Sequence, residues 1–192
     1  ERLLLDSPSD LCLVVGDVTS TMACAIAAQK LHVPVAHVEA GIRSGDWTMP
    51  EEINRMVTDA IINWFFTTSE VANANLRKSG VGDERIFFVG NTMIDTLLAN
   101  IDRLQKPDFW DGLGLKAGEY FVVTLHRPAN VDKGDGFARL LRAIADGTRG
   151  LPVVFPVHPR TAKTLRDLNE VPDSFRLVDP QPYLEFNYLV KN

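Results

Sequence analysis

The chain is nearly without cysteine, with only Cys12 and Cys24 among 192 residues. Two thiols cannot build a disulfide framework and their spacing fits no metal knuckle, so a reduced, cytoplasmic protein is expected. It also lacks a basic excess: 20 Lys and Arg stand against 25 Asp and Glu, a formal charge of -5. Nucleic-acid binders draw most of their affinity from phosphate contacts, so no nucleic-acid partner is expected. No apolar run approaches the about 18 residues of a membrane helix, and no membrane insertion is expected. The opening ERLLLDSPSD has no basic head before an apolar core and does not read as a secretory signal. GxGxxG and GxxxxGK[ST] are both missing, which leaves nicotinamide and P-loop chemistry without direct support.

What is present is an ordinary globular balance, 45% hydrophobic and 23% charged, too apolar for a disordered chain. Short β-branched or aromatic runs alternate with helical stretches. Strands are expected at 11–15, 35–39, 64–68, 85–89, 120–125, 153–157 and 175–178. Helices are expected near 20–31, 50–62, 69–80, 92–104 and 137–148. Pro50 followed by Glu51 and Glu52 is a favourable helix start, because proline tolerates the first turn and acids complement the positive dipole end. Repeated β-α units with near-continuous apolar strands predict an α/β fold of parallel sheets covered by helices on both faces. A Pro/Gly-rich stretch divides the chain, giving expected domains at 1–105 and 119–192 joined by a linker at 106–118. Both blocks look cut, and the expectation is the middle of a longer two-domain protein.

Ligands of open α/β sheets bind beyond the carboxyl ends of the strands. Asp17, Glu39, His126 and His158 all fall at or just after such ends. Asp17 follows Gly16, and either caps the next helix or serves as a rim carboxylate. His37 and Glu39 share one face of an extended run, and a carboxylate at a buried strand end is costly unless paired. Glu51, Arg55 and Asp59 recur every four residues, a spacing that also suits an exposed salt-bridge ladder. His126-Arg127 sets a titratable ring beside an anion-binding fork, and His158 lies between Pro156-Val157 and Pro159 near Arg160. None of the histidines and carboxylates has a zinc-type frame, so no metal is expected. These residues suit acid/base chemistry on an anionic substrate without naming it.

Six segments together are more specific than any alone: Val14-Val15-Gly16-Asp17-Val18-Thr19-Ser20, His37-Val38-Glu39-Ala40-Gly41-Ile42-Arg43, Met49-Pro50-Glu51-Glu52-Ile53-Asn54-Arg55, Val89-Gly90-Asn91-Thr92-Met93-Ile94-Asp95, Thr124-Leu125-His126-Arg127 and Pro156-Val157-His158-Pro159. In this order the chain strongly resembles the UDP-N-acetylglucosamine 2-epimerase family along essentially its whole length, which corresponds to about the middle half of the family's. The resemblance implies a glycosyltransferase-B type fold of two Rossmann-like domains with the sugar nucleotide between them. It implies elimination of UDP to a 2-acetamidoglucal, reprotonation of C2 from the other face and re-addition of UDP, with no cofactor. Asp17, Glu39 and Glu51 match the family's catalytic carboxylates and His126 its active-site histidine. His37, Arg43, Arg55, Arg127 and His158 form the expected substrate-binding set. Arg127 and His158 also match positions that bind a regulatory sugar nucleotide in allosteric members.

The sequence departs from the family pattern in places. Val18 stands where a hydroxyl residue usually follows the aspartate, and Pro128-Ala129 replaces the Arg-Glu that commonly follows His-Arg. The family's Gly-Thr-Arg-Pro-Glu and Ser-Gly-Gly loops have no counterpart, so these 192 residues alone are expected to turn over weakly or not at all. The leading expectation is a non-hydrolysing epimerase that interconverts UDP-GlcNAc and UDP-ManNAc, a homodimer when full-length, acting in surface polysaccharide synthesis. The alternatives are a hydrolysing epimerase releasing N-acetylmannosamine and UDP, a glycosyltransferase of the same fold, and a non-catalytic UDP-sugar-binding remnant.

Overall fold

The computed structural model describes residues 1–125, 134–168 and 171–192. They form two compact units, Glu1–Thr96 and Leu97–Asn192. After a short α1 (Arg2–Asp6), the first unit runs β1 (Cys12–Val15), α2 (Thr19–Lys30), β2 (Val35–Val38), α3 (Pro50–Ile61), β3 (Trp64–Thr67), α4 (Glu70–Lys78) and β4 (Ile86–Phe88). All four strands pair in parallel in the order β1-β2-β3-β4.

Register decides which side chains meet the helices. Val14 pairs with His37, His37 with Phe65 and Phe65 with Ile86, so these four share one face. Against it pack Ala25 and Ala28 of α2 and Leu76 of α4, and the cluster includes Val14, Val35 and Phe65. Alanine serves α2 twice, as the best helix former and as the side chain that lets a helix lie close to strands. Ser69 caps α4 by accepting a hydrogen bond from the Ala72 N–H at 3.2 Å, as expected from its position. The opposite face, Leu13, Val15, Trp64, Phe66 and Phe87, is also apolar, and Leu13 and Val15 stay more than half exposed. Helices on both faces, expected for the whole chain, are therefore found only in the second unit among the described residues; in the first, α2, α3 and α4 all lie on one.

Helix α5 (Thr92–Asn100) spans the boundary between the units. The second unit then holds α6 (Phe109–Gly112), β5 (Phe121–Val122), α7 (Gly134–Gly147), β6 (Val153–Pro156), α8 (Pro159–Arg166), β7 (Phe175–Val178) and α9 (Tyr183–Lys191). Its three strands are parallel in the order β5-β6-β7. Val153 and Phe155 meet Phe137 and Leu141 of α7 and Leu165 of α8. Val154 points to the other side, onto Trp110, Leu115 and Leu189. Trp110 sits edge-on to Tyr120 and Tyr188, each ring centroid 5.3 Å away. The Pro/Gly-rich 106–118 stretch thus carries Trp110 and Leu115 into the core of the second unit. Among the described residues no helix is long and apolar enough to cross a membrane.

Phe155 is fully buried between two helices and the Phe175 ring, 6.1 Å from it. Phe155→Ala is expected to cost about 3–5 kcal/mol, read as a lower urea midpoint of the second unit at unchanged m-value.

Candidate active site

The carboxyl ends of β1 and β2 stand side by side because the two strands pair directly, Val15 opposite Val38. Beyond β1 the chain turns at Gly16, whose φ of +69° suits glycine, and Asp17 follows. Asp17 does not cap α2: the N-cap position is Val18, with no side-chain cap. Its carboxylate instead accepts from Arg55 Nη2 at 2.5 Å, while its carbonyl accepts from Asn54 Nδ2 at 2.8 Å. Beyond β2, Glu39 takes a φ of +72°, a region costly for a side chain larger than glycine's. Its backbone is held there by its own N–H and that of Ala40, both donating to Phe66 O. The Glu39 carboxylate faces β1, with Oε2 3.6 Å from where a Cβ on Gly16 would stand.

Helix α3 closes this rim from its first turns, starting at Pro50 as expected. Its buried residues are Glu52, Asn54, Thr58 and Asp59, while Ile53 and Ile61 are exposed. The Glu51 carboxylate makes no hydrogen bond or ion pair among the described residues, and the residue is half-buried. Glu52 is the opposite case. Its carboxylate accepts from the Ser44 and Gly45 N–H groups at 2.9 and 3.1 Å, the Ser44 hydroxyl at 3.0 Å and Arg55 Nη1 at 3.1 Å. Burial opposes its charge, but these donors outweigh burial and hold its pKa down to about 2. Burial likewise opposes the Arg55 charge, and Asp17 and Glu52 overcome it and raise its pKa further. The exposed ladder of Glu51, Arg55 and Asp59 is not formed: Arg55 bridges Asp17 and Glu52.

Asp59 lies one turn deeper. Oδ1 faces His37 Nδ1 at 2.9 Å, and Oδ2 accepts from the Gly41 N–H at 3.0 Å and Arg43 Nη1 at 2.7 Å. His37 is fully buried, and its Nε2 donates to the Gly16 carbonyl at 2.8 Å. Arg43 also donates to the Ile42 carbonyl, 2.8 Å away. His37 and Arg43, expected to bind substrate, are thus engaged with the backbone beneath the rim. In the second unit, His158 follows β6 and, with Thr124, Leu125, Pro156, Gln181 and Phe186, lines a cavity of about 180 Å³ at the carboxyl ends of the strands. His126 and Arg127 lie outside the described residues. Among the described residues no three His, Cys, Asp or Glu side chains gather as a metal site.

Glu52, expected only as a helix-start acid, and Asp59, expected only in a ladder, are both buried acceptors. The signal available was their spacing with Arg55 at i, i+3 and i+7, which sets three charges on one helical stripe. Gln181 and Phe186 carried no comparable signal.

Two expectations follow. Because the pKa of Glu52 is depressed on folding, its contribution is present above the unfolded carboxylate range and is lost as pH falls from about 4.5 towards 2. Urea midpoints measured from pH 5 to pH 2.5 should fall more steeply for the wild type than for Glu52→Gln. Gly41 has a φ of +79°, and a Cβ there would stand 2.6 Å from the Ala72 carbonyl oxygen. Gly41→Ala should therefore destabilise the first unit by about 2 kcal/mol or more in chemical unfolding.

The family model described as UDP-N-acetylglucosamine 2-epimerase matches residues 1–192. A UDP-N-acetylglucosamine 2-epimerase homolog of Methanococcus maripaludis is 41% identical over 199 residues, covering 100% of this chain and 55% of the relative. The UDP-2,3-diacetamido-2,3-dideoxy-D-glucuronate 2-epimerase of Pseudomonas aeruginosa is 37% identical, over 100% of this chain and 53% of its own length. The crystal structure of Methanocaldococcus jannaschii UDP-GlcNAc 2-epimerase in complex with UDP-GlcNAc and UDP superposes with a TM-score of 0.86 at 36% identity, covering 100% of this chain and 55% of that one. The chain spans about half the length of the curated relatives it matches. Epimerases of this structural group have the glycosyltransferase-B fold, and the chain belongs to the UDP-N-acetylglucosamine 2-epimerase family.

Proposed function

We propose that the chain supplies the proton-transfer part of a non-hydrolysing UDP-N-acetylglucosamine 2-epimerase. The first unit is read as part of the N-terminal Rossmann-like domain and the second as the start of the C-terminal, nucleotide-binding one. The observation that carries the reading is the carboxylate rim: Asp17 held by Arg55, Glu39 fixed on a left-handed backbone beside Gly16, and Glu51 without a protein partner among the described residues. Acids at the ends of two adjacent strands, with another in the first turn of the helix beside them, are costly to keep for folding alone.

The chemistry needs them. A base removes the weakly acidic C2 proton while the C1–O bond to UDP breaks, leaving a C1–C2 double bond. An acid then delivers a proton to the other face of C2, and a UDP oxygen re-forms the bond to C1. Acids crowded in one cleft push each other's pKa values apart, which lets one be protonated while another is ionised. Glu51 and Glu39 are the groups free to face a sugar. Asp17 is oriented by Arg55, so its freedom is smaller and its position better defined. His126, with Arg127, is assigned to the charge that develops on departing UDP, as the family resemblance implies. The second-unit cavity of His158, Gln181 and Phe186 offers a flat ring, an amide and an imidazole for the nucleotide end. The full-length form is read as a cytoplasmic homodimer that needs no cofactor or metal.

The Pseudomonas aeruginosa relative named for another UDP-sugar favours a second reading in which C2 inversion is kept and the C3 and C5 substituents differ. Incubating the longest native chain in deuterated water with UDP-GlcNAc, and in parallel with the diacetamido-glucuronate sugar, separates the two by NMR. The expected result is deuterium at C2 together with UDP-ManNAc. Asp17→Asn and Glu39→Gln should each slow the exchange by about 100-fold or more with folding intact. Free N-acetylmannosamine would move the assignment to the hydrolysing branch, and transfer to an acceptor to a glycosyltransferase. Binding without exchange, unchanged in both variants, would leave a sugar-nucleotide-binding protein.

A further inference from the structure

We propose that Asp59 is a positioning residue that fixes the separation of the Asp17 and Glu39 carboxylates through hydrogen bonds to the backbone on both sides of the rim, acting as an acceptor hub and not as a proton donor or base. The proposal rests on the epimerase reading for its effect on turnover, and on geometry alone for its structural part. Asp59 is buried in α3 and reaches three segments at once: His37 on β2, Gly41 beyond β2 and Arg43 after that. Through His37, whose Nε2 donates to the Gly16 carbonyl, it also reaches the end of β1. Gly16 directly precedes Asp17, and Gly41 lies two residues after Glu39. One side chain therefore ties down both turns that present the acids.

The turns need such a tether. Gly16, Glu39 and Gly41 all have positive φ, a run of conformations that the chain does not hold by local preference. Asn75 Nδ2 donates to the Gly41 carbonyl at 2.9 Å, so the Gly41 peptide is held from two helices, and Asp59 alone satisfies its N–H. The Gly16 carbonyl can only accept, so Nε2 donates to it, and an ionised carboxylate can only accept, so the Asp59 contact needs a proton on Nδ1 as well. This arrangement makes a distinctive demand. A carboxamide fits Asp59's place with its oxygen where Oδ2 stands, still accepting from Gly41 and Arg43, and its NH2 where Oδ1 stands, donating to Nδ1 once that nitrogen has given up its proton. The carboxylate charge is lost and each contact is kept, the one to His37 with its direction reversed. A methyl group keeps none.

The experiment compares Asp59→Asn with Asp59→Ala in the longest native chain. For turnover, Asp59→Ala should lower kcat for C2 exchange by about 100-fold, the scale of a small misplacement of reacting groups, with KM within about 3-fold. Asp59→Asn should return kcat to within about 5-fold of wild type. An Asn variant as slow as the Ala variant would overturn the proposal and make Asp59 a charge-bearing participant, as would an Ala variant at wild-type kcat. Amide hydrogen exchange gives a readout that needs no turnover. Protection of the Gly41 N–H should drop at least 10-fold in Asp59→Ala and persist in Asp59→Asn, while α4 amides stay protected in both. Equal protection in all three proteins, or equal loss in both variants, would refute the tether whatever the reaction proves to be. A wild type that shows this protection but no C2 exchange would refute the epimerase reading and leave the tether standing. Should Asp59→Ala not fold, His37→Asn takes its place, its shorter amide falling short of the Gly16 carbonyl so that this link is the one removed; unchanged kcat and unchanged Asp17 amide signals there would refute the tether.

Discussion

Three charges of α3, on Glu52, Arg55 and Asp59, are withdrawn from water on one helical face, and the rim of the first sheet is assembled by the way each is compensated. A carboxylate leaving water is retained only when donors replace its hydration. Glu52 collects two N–H groups, a hydroxyl and a guanidinium; Asp59 collects an imidazole, an N–H and a guanidinium. Apart from His37 on β2 and Arg55 on α3 itself, those donors belong to the turn after β2 and the loop that leads into α3. Satisfying buried charge and shaping the loops are therefore one process. A hydrocarbon stripe in the same place would pack against the sheet without specifying where the loops go, because apolar burial is non-directional.

The result is a graded set of acids within a short span. Glu52 is ionised and fully committed, Asp17 is half committed to Arg55, and Glu39 and Glu51 are left for a ligand. Arg55 links the committed and partly committed acids, and its own charge is strengthened by both. Such grading separates carboxylates engaged by the protein from carboxylates left without a protein partner, the division that the proposed proton transfer draws on. Glu39 adds a second element. Its left-handed backbone stores strain that the Phe66 carbonyl, accepting from the Glu39 and Ala40 N–H groups, holds in place, as expected where a side chain is aimed and not merely accommodated.

Much of this was legible in the amino-acid sequence, and what was not has physical reasons. The parallel α/β arrangement followed from apolar runs separated by helical periods, and the expected strand at 175–178 agrees with β7 residue for residue. Helix α3 was announced by Pro50 and its acids. The choice of capping or rim duty for Asp17 was open, because local spacing does not reveal Arg55, 38 residues away. The ladder reading of Glu51, Arg55 and Asp59 failed because α3 reverses the usual rule, burying Glu52 and Asp59 while exposing Ile53. Helix α8 and the core role of Trp110 were hidden by prolines and glycines that punctuate short elements as well as linkers. His126 and Arg127 fall outside the described residues, so their place rests on the family resemblance.

The most direct test of the account is the position of C2 of UDP-GlcNAc in a crystal of the longest native chain. The account predicts that C2 lies within about 3.5 Å of a carboxylate oxygen of Glu39 or Glu51, with the Asp17–Arg55 pair intact beside the ring. A sugar bound with C2 out of reach of both carboxylates, or seated away from the ends of β1 and β2, would contradict it.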